Sequence, residues 1–199
     1  MLDAFERKML YAFLAALFHR PDEQTVAAAG GVEEKTFETL FPGLSIPPEA
    51  SLEELLAAYD ALFVAGGDEA AAPPYGSVYL EKKPRGAGNS TKLVGALYAS
   101  AGLNPEHAEE PADYLPAELE FLFYLCEGES QSLEKDHKTK PERWMASQAD
   151  FFHNFFAPWA GPFCDRVAVA EKAHPFYRWA ADLLKRFVEL EKTRLKAVR

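Results

Sequence analysis

Apolar side chains recur at steps of three and four along almost the whole chain, and that spacing restricts it to helices packed on helices. Near the N-terminus Leu2, Phe5, Met9, Phe13 and Ala16 form one stripe, which Leu10, Leu14, Leu17 and Phe18 widen. A helix apolar on several sides is expected at the centre of a bundle. Pro21 ends it, a short helix runs to Gly30-Gly31, and another covers Val32 to Phe41 before Pro42-Gly43. Ser51 and Glu54 have capping-box spacing, in which each side chain satisfies the other residue's backbone N–H. The helix they open carries Leu52, Leu55, Leu56, Tyr59, Leu62 and Phe63 and stops at Gly66-Gly67.

Asp68 to Asn89 is rich in proline, glycine and charge, with a β-like island at Ser77-Val78-Tyr79-Leu80. So long a connection in a helical domain usually carries function. Its tyrosines, Tyr75 and Tyr79, are expected to pack onto the chain itself or onto a partner. A helix resumes from Ser90, capped by Asn89 or by Ser90 itself, and runs to Ala101; Asn104 to Asp113 is a second polar connection. Asp113 is expected to cap the next helix, with Pro116 in its first turn and Leu115, Leu119, Leu122 and Cys126 along one line. Gly128 to Pro141 reads as a charged break, and from Glu142 an aromatic helix runs to Trp159. Pro162 is expected to interrupt it before a short helix around Val167. Pro175 opens a last helix with Phe176, Ala180, Leu183, Leu184 and Phe187 as its buried stripe. With 48% hydrophobic residues, the chain can bury a sizeable core. Residues 1–199 are therefore expected to form one all-α domain, a helical bundle with a hinge at about 105–113 between its N-terminal and C-terminal halves.

The formal net charge of −10 disfavours nucleic acid and anionic membrane surfaces and suits a basic peptide segment. No apolar run is long enough to span a bilayer, and Met1 to Arg7 lacks the features of a secretory signal, so the expected location is the cytoplasm. Cys126 and Cys164 form no Cys-x-x-Cys pair and read as buried thiols. Glu134-Lys135-Asp136-His137 has a Glu-x-x-His spacing, but a di-iron site needs a second copy. Glu118 and Glu120, two apart on one helix, face different ways and cannot act as an acid/base pair. Ser90, Thr91 and Lys92 beside Gly86 and Gly88 are in the wrong order for a phosphate loop. Catalytic residues, metal ligands and a cofactor are thus not expected, and the chain reads as a non-enzyme.

Three segments resemble the TorD/DmsD/NarJ family of molybdoenzyme maturation chaperones. Tyr59-Asp60-Ala61-Leu62-Phe63 with Gly66 is similar to the family's aromatic-x-x-Leu-Phe helix end. Pro73-Pro74-Tyr75-Gly76-Ser77-Val78-Tyr79 is similar to its proline-tyrosine loop, with Gly76 where an acidic residue is common. Glu110-Pro111-Ala112-Asp113-Tyr114-Leu115 resembles its Glu-Pro-x-Asp-His-Leu signature, with Tyr114 in place of the histidine. The resemblance implies a helical chaperone that binds the twin-arginine leader, the body, or both, of an apo-molybdoenzyme and holds it for cofactor insertion before export. It implies leader-binding residues Tyr59, Leu62, Phe63, Gly66, Pro74, Tyr75, Ser77, Tyr79, Glu110, Pro111, Asp113 and Tyr114, converging on one apolar groove. The hinge also permits a domain-swapped homodimer beside the monomer. A dimethyl sulfoxide, trimethylamine oxide or nitrate reductase, or a formate dehydrogenase, all fit as client. Two other classes fit the same residues: a generic helical assembly module, and a helical enzyme with an unfamiliar site.

Overall fold

The computed structural model describes residues 2–67, 70–103, 109–134 and 140–196, and among these every regular element is a helix. The order is α1 (Ala4–Phe18), α2 (Glu23–Gly30), α3 (Glu34–Leu40), α4 (Leu52–Tyr59) with a π-helical turn at Asp60–Val64, α5 (Gly76–Leu80) and α6 (Asn89–Ser100). Then follow α7 (Leu115–Glu134), α8 (Pro141–Phe151) with a second π turn at Phe152–Phe156, α9 (Ala157–Val169) and α10 (Pro175–Leu195). The capping box at Ser51 and Glu54 forms as the spacing predicts.

Helix α1 lies along α7, α8 also packs on α7, and α10 packs on α9. Rings join these layers at the centre: Phe18 of α1 meets Phe63 at 6.3 Å and Phe163 at 5.5 Å, while Phe63 meets Tyr177 at 5.1 Å. Each such pair adds about 0.5–1.5 kcal/mol beyond the area it buries. The two thiols are buried, as their sequence context predicts, and burial pushes Cys126 up to about 12.

Helix α1 presents a different face from the expected one. Phe5 and Met9 are exposed, and the buried side carries Ala4, Arg7, Leu10, Tyr11, Leu14, Ala15, Leu17 and Phe18. Arg7 decides this orientation. Its guanidinium, fully enclosed, donates to Glu191 (Nε–Oε1 2.8 Å, Nη2–Oε2 2.5 Å), to Glu129 Oε2 at 3.0 Å and to Gln148 Oε1 at 2.7 Å. Tyr11 Oη adds a hydrogen bond to Glu191 Oε2 at 2.8 Å. A buried cation is tolerated only with such partners, and only this face of α1 offers them to Arg7. Burial pulls the Arg7 pKa down, but the Glu191 bond and the surrounding negative charge outweigh that and hold it above its ordinary value.

Four other boundaries differ from expectation. Helix α7 passes through Gly128 to Glu134, because a Cβ at Gly128 would stand 2.5 Å from the Trp144 indole; glycine lets α8 lie flush on α7. Pro162 lies inside α9. Pro158 and Pro162 supply no N–H, and the turn ahead of them widens so that Ala157 N–H reaches Phe152 O, five residues back. The N-cap of α6 is Gly88, and the Glu81 carboxylate supplies the acceptor, taking Asn89 N–H at 3.0 Å and Ser90 N–H at 2.8 Å. Those bonds draw Glu81 down to about 2. Lastly, Ser77 to Leu80 is helical rather than β-like, with only Tyr75 making an isolated antiparallel bridge, to Tyr114.

Candidate functional site

The three motif segments meet. The site is built outward from the backbone bridge at Tyr75 and Tyr114, where Gly76 N–H donates to Asp113 O and Leu115 N–H donates to Pro74 O, both at 2.9 Å. The second bond satisfies the first N–H of α7. The Asp113 side chain points the other way: its Oδ2 accepts Ser77 N–H at 2.6 Å, in the first turn of α5. Asp113 therefore caps α5 rather than α7, which also explains why the 77–80 stretch is helical. Its other oxygen, Oδ1, is buried with no hydrogen-bond partner among the described residues.

Side chains close the same junction. The hydroxyls of Tyr59 and Tyr114 lie 2.9 Å apart, and the Tyr75 and Tyr114 rings are 5.5 Å apart. Burial drives the Tyr114 hydroxyl pKa far up, so it stays protonated at neutral pH. His19, the C-cap of α1, meets the Tyr114 ring edge-on at 5.9 Å and is paired with Glu120 Oε1 at 2.8 Å. Tyr75 Oη donates to Glu110 Oε2 at 2.9 Å; burial first, then this carboxylate, push Tyr75 up to about 12.

Below, Tyr79 stacks on Trp159 at 5.8 Å, and Trp159 Nε1 donates to Glu118 Oε2 at 3.0 Å. A Cβ on Gly76 would come within 3.0 Å of Trp159 Nε1, so the residue standing where an acidic one is common is held small by the indole. Burial pushes the Glu118 carboxyl well above its ordinary range, the Trp159 bond opposes this without offsetting it, and the charge of Asp113 adds a smaller push upward. The returning loop is tied down by Ala72 N–H to Leu62 O at 2.9 Å, and by Arg166, which donates to Ala71 O at 2.6 Å and Ala70 O at 2.9 Å.

The junction is a packed knot more than an open groove. Tyr59, Leu62, Phe63, Pro74, Tyr75, Ser77, Asp113 and Tyr114 are buried, Tyr79 and Pro111 are half-buried, and only Glu110 and Gly66 are well exposed. Tyr75 and Tyr79 thus pack on the chain itself. Glu118, Arg166 and Arg85 belong to the junction but escape the motif reading, and Trp159, at the end of the aromatic helix, joins them there. Glu118 alone leaves a trace in the sequence: it falls on the apolar line of Leu115, Leu119 and Leu122, where a carboxylate is out of place. Glu118 and Glu120 do face apart, one buried and one exposed. The Glu-x-x-His run 134–137 and the 105–108 part of the hinge lie outside the described residues. No group of three or more potential metal ligands occurs among the described residues.

The sequence pattern of the nitrate reductase delta subunit family matches residues 27–165. The chain belongs to this family. It is the TorD/DmsD/NarJ group whose motifs form the junction. Within it, the chain is 26% identical over 208 residues to chaperone protein TorD of Vibrio cholerae, covering 94% of this chain and 90% of that one. It is 30% identical over 132 residues to chaperone protein YcdY of Escherichia coli, covering 66% of this chain and 60% of the other. Its fold is similar to the crystal structure of a protein described as a redox enzyme maturation protein from Archaeoglobus fulgidus. The TM-score is 0.56 at 24% identity, over 92% of this chain and 93% of that one, a likeness that establishes a shared fold. No helix among the described residues is long and apolar enough to cross a membrane.

Proposed function

We propose that this family member is a chaperone for an apo-molybdoenzyme. It binds the client's twin-arginine leader, the client's body, or both, and holds them in the cytoplasm until cofactor insertion and export. The observation that carries this reading is the hydrogen-bonded meeting of Tyr59, Tyr75, Asp113 and Tyr114 from three separate segments, each resembling a family motif. A constellation of hydroxyls and aromatic faces with Glu110 at its edge suits recognition of a peptide that is basic first and apolar after. In this reading the buried motif residues are the frame. Contact with the leader falls to Glu110, Gly66, Pro111 and the edge of Tyr79.

The net charge of −10 favours encounter with a basic leader, and buried apolar area supplies the affinity. Micromolar binding needs only about 8 kcal/mol, and a chaperone that must release its client needs no more. Titration calorimetry with synthetic twin-arginine leaders should give roughly micromolar dissociation constants that weaken as salt screens the charges. Absence of binding across leaders from several molybdoenzyme types would sink the proposal.

A further inference from the structure

Helices α6, α7 and α8 enclose a cleft of about 410 Å³ that the motif junction does not use. Phe121, Tyr124 and Leu125 of α7 line it, with Trp144 and Phe151 from α8 and Leu97 from α6. Its walls are held by ring contacts. The Trp144 indole lies against Gly128 and meets Tyr124 edge-on at 5.9 Å, and Phe121 stacks on Tyr124 at 6.2 Å. Tyr98 joins cleft and junction: its ring packs on Phe121 at 4.7 Å, and its hydroxyl donates to Ala112 O, beside Asp113, at 2.9 Å.

Every hydroxyl lining the cleft already donates to a backbone carbonyl: Tyr124 Oη to Ala101 O, Ser100 Oγ to Leu97 O and Ser147 Oγ to Arg143 O. A compact polar ligand therefore finds no hydroxyl donor to orient it, whereas apolar side chains find an aromatic slot. The charged groups lining it, Arg143 and Asp150, both stand exposed on α8. They are two turns apart, about 10 Å along the helix. The Arg143 guanidinium has no partner among the described residues, and Asp150 gives only Oδ1 to Asn154. One cation and one anion at that spacing match an amphipathic helix lying along the cleft, with an acidic and a basic residue flanking its apolar stripe. They do not match a leader segment that is only basic.

We propose that this cleft is a second docking site and takes an amphipathic helix of the client's body. Apolar side chains enter between Phe121, Tyr124 and Trp144, an acidic residue pairs with Arg143, and a basic one pairs with Asp150. This rests on the chaperone reading above and names the chemistry by which the body, as distinct from the leader, is held. Phe121 lies about 9 Å along α7 from Leu115 at the junction, so one client can occupy junction and cleft together. Each contact then raises the effective concentration of the client at the other, and two weak contacts hold firmly yet release one at a time.

The test titrates the full chain by calorimetry with two synthetic probes. One is a helical peptide whose leucine and phenylalanine stripe is flanked by a glutamate and a lysine two turns apart; the other is a twin-arginine leader. Trp159 and Trp179 are buried and Trp144 is half-buried, so covering the cleft should also blue-shift the indole emission, and Trp144→Phe should lose that shift. Arg143→Glu should weaken the helical peptide about three- to tenfold, as expected for reversing one exposed charge pair. Replacing the peptide's glutamate by lysine should restore its binding to Arg143→Glu and weaken its binding to the wild-type. Ser147→Trp, which adds bulk at an exposed position of α8, should abolish binding of the helical peptide and leave leader binding unchanged. A helical peptide that binds Ser147→Trp as well as the wild-type, or a loss in Arg143→Glu that the peptide's lysine does not recover, overturns the inference. So does a wild-type chain that binds the leader but not the helical peptide. Self-association of the wild-type that Ser147→Trp abolishes would make a second copy of this chain the occupant and overturn it too. If the helical peptide behaves as expected and no leader binds, the leader half of the chaperone reading falls and the cleft assignment stands.

Discussion

Glu118→Gln should stabilise the protein, and increasingly so as pH rises. Glu118 is 1% exposed, with no ion-pair partner among the described residues and the indole of Trp159 as its hydrogen-bond donor. Burial holds its folded-state pKa well above the ordinary value, and the charge of Asp113 reinforces this. Above the unfolded-state pKa of about 4.3, and below the raised folded value, the folded chain therefore binds one proton more than the unfolded chain. Stability contributed by such a group is present at low pH and drains away through that window at about 1.4 kcal/mol per pH unit. Glutamine keeps the carbonyl oxygen that accepts the Trp159 bond and has no proton to hold, so the slope disappears. As pH rises inside that window, the stability of Glu118→Gln should gain on the wild-type by up to about 1.4 kcal/mol for each pH unit. With a urea dependence of about 2–3 kcal/mol per molar, each such unit is a relative midpoint shift of about 0.5 M. The other titrating groups act equally on both proteins and cancel in the difference. Urea unfolding followed by circular dichroism at pH values spanning the window measures it. Midpoint curves that run parallel across this range would show that Glu118 is ionised in the fold, and the reasoning would be wrong.

Two further substitutions test the frame. Arg7→Met should cost about 3–5 kcal/mol, because Glu191 is left with only the Tyr11 hydroxyl among its described partners; adding Glu191→Leu should restore part of the loss, and strictly additive urea midpoints would show that the two are not coupled. Asp113→Ala should cost about 1–3 kcal/mol by leaving Ser77 N–H unsatisfied, with hydrogen-exchange protection lost in Ser77–Leu80; loss confined to the first turn of α7 would instead make Asp113 the cap of that helix.

Much of the fold was legible because helices announce themselves locally. The 3.6-residue period, the Ser51/Glu54 capping box and the buried stripe of α10 need only near neighbours in sequence, and each forms as its spacing predicts. Motif order likewise located the candidate site: the segments around Tyr59, Tyr75 and Asp113 do come together. The misreadings share one cause. The face of α1, the helical state of 77–80, the passage of α7 through Gly128 and that of α9 through Pro162 each depend on a partner or a compensating bond that composition does not show. Ser77–Leu80 looks like a strand because Val and Tyr favour one, and β preference is readily overridden by context.

The amino-acid order by itself therefore determined that the chain is helical, where most helices begin and end, and which segments carry the family motifs. It also determined a formal net charge of −10. Packing in three dimensions decided which way α1 faces, since Arg7 must be where Glu129, Gln148 and Glu191 converge. It decided that Asp113 serves a helix 36 positions back in the chain, and that the motif tyrosines form a closed knot with Arg85 against its edge. Periodicity and caps are set by covalent neighbours. The pairing of buried charges and hydroxyls is set by distance through space, and only the folded chain supplies that.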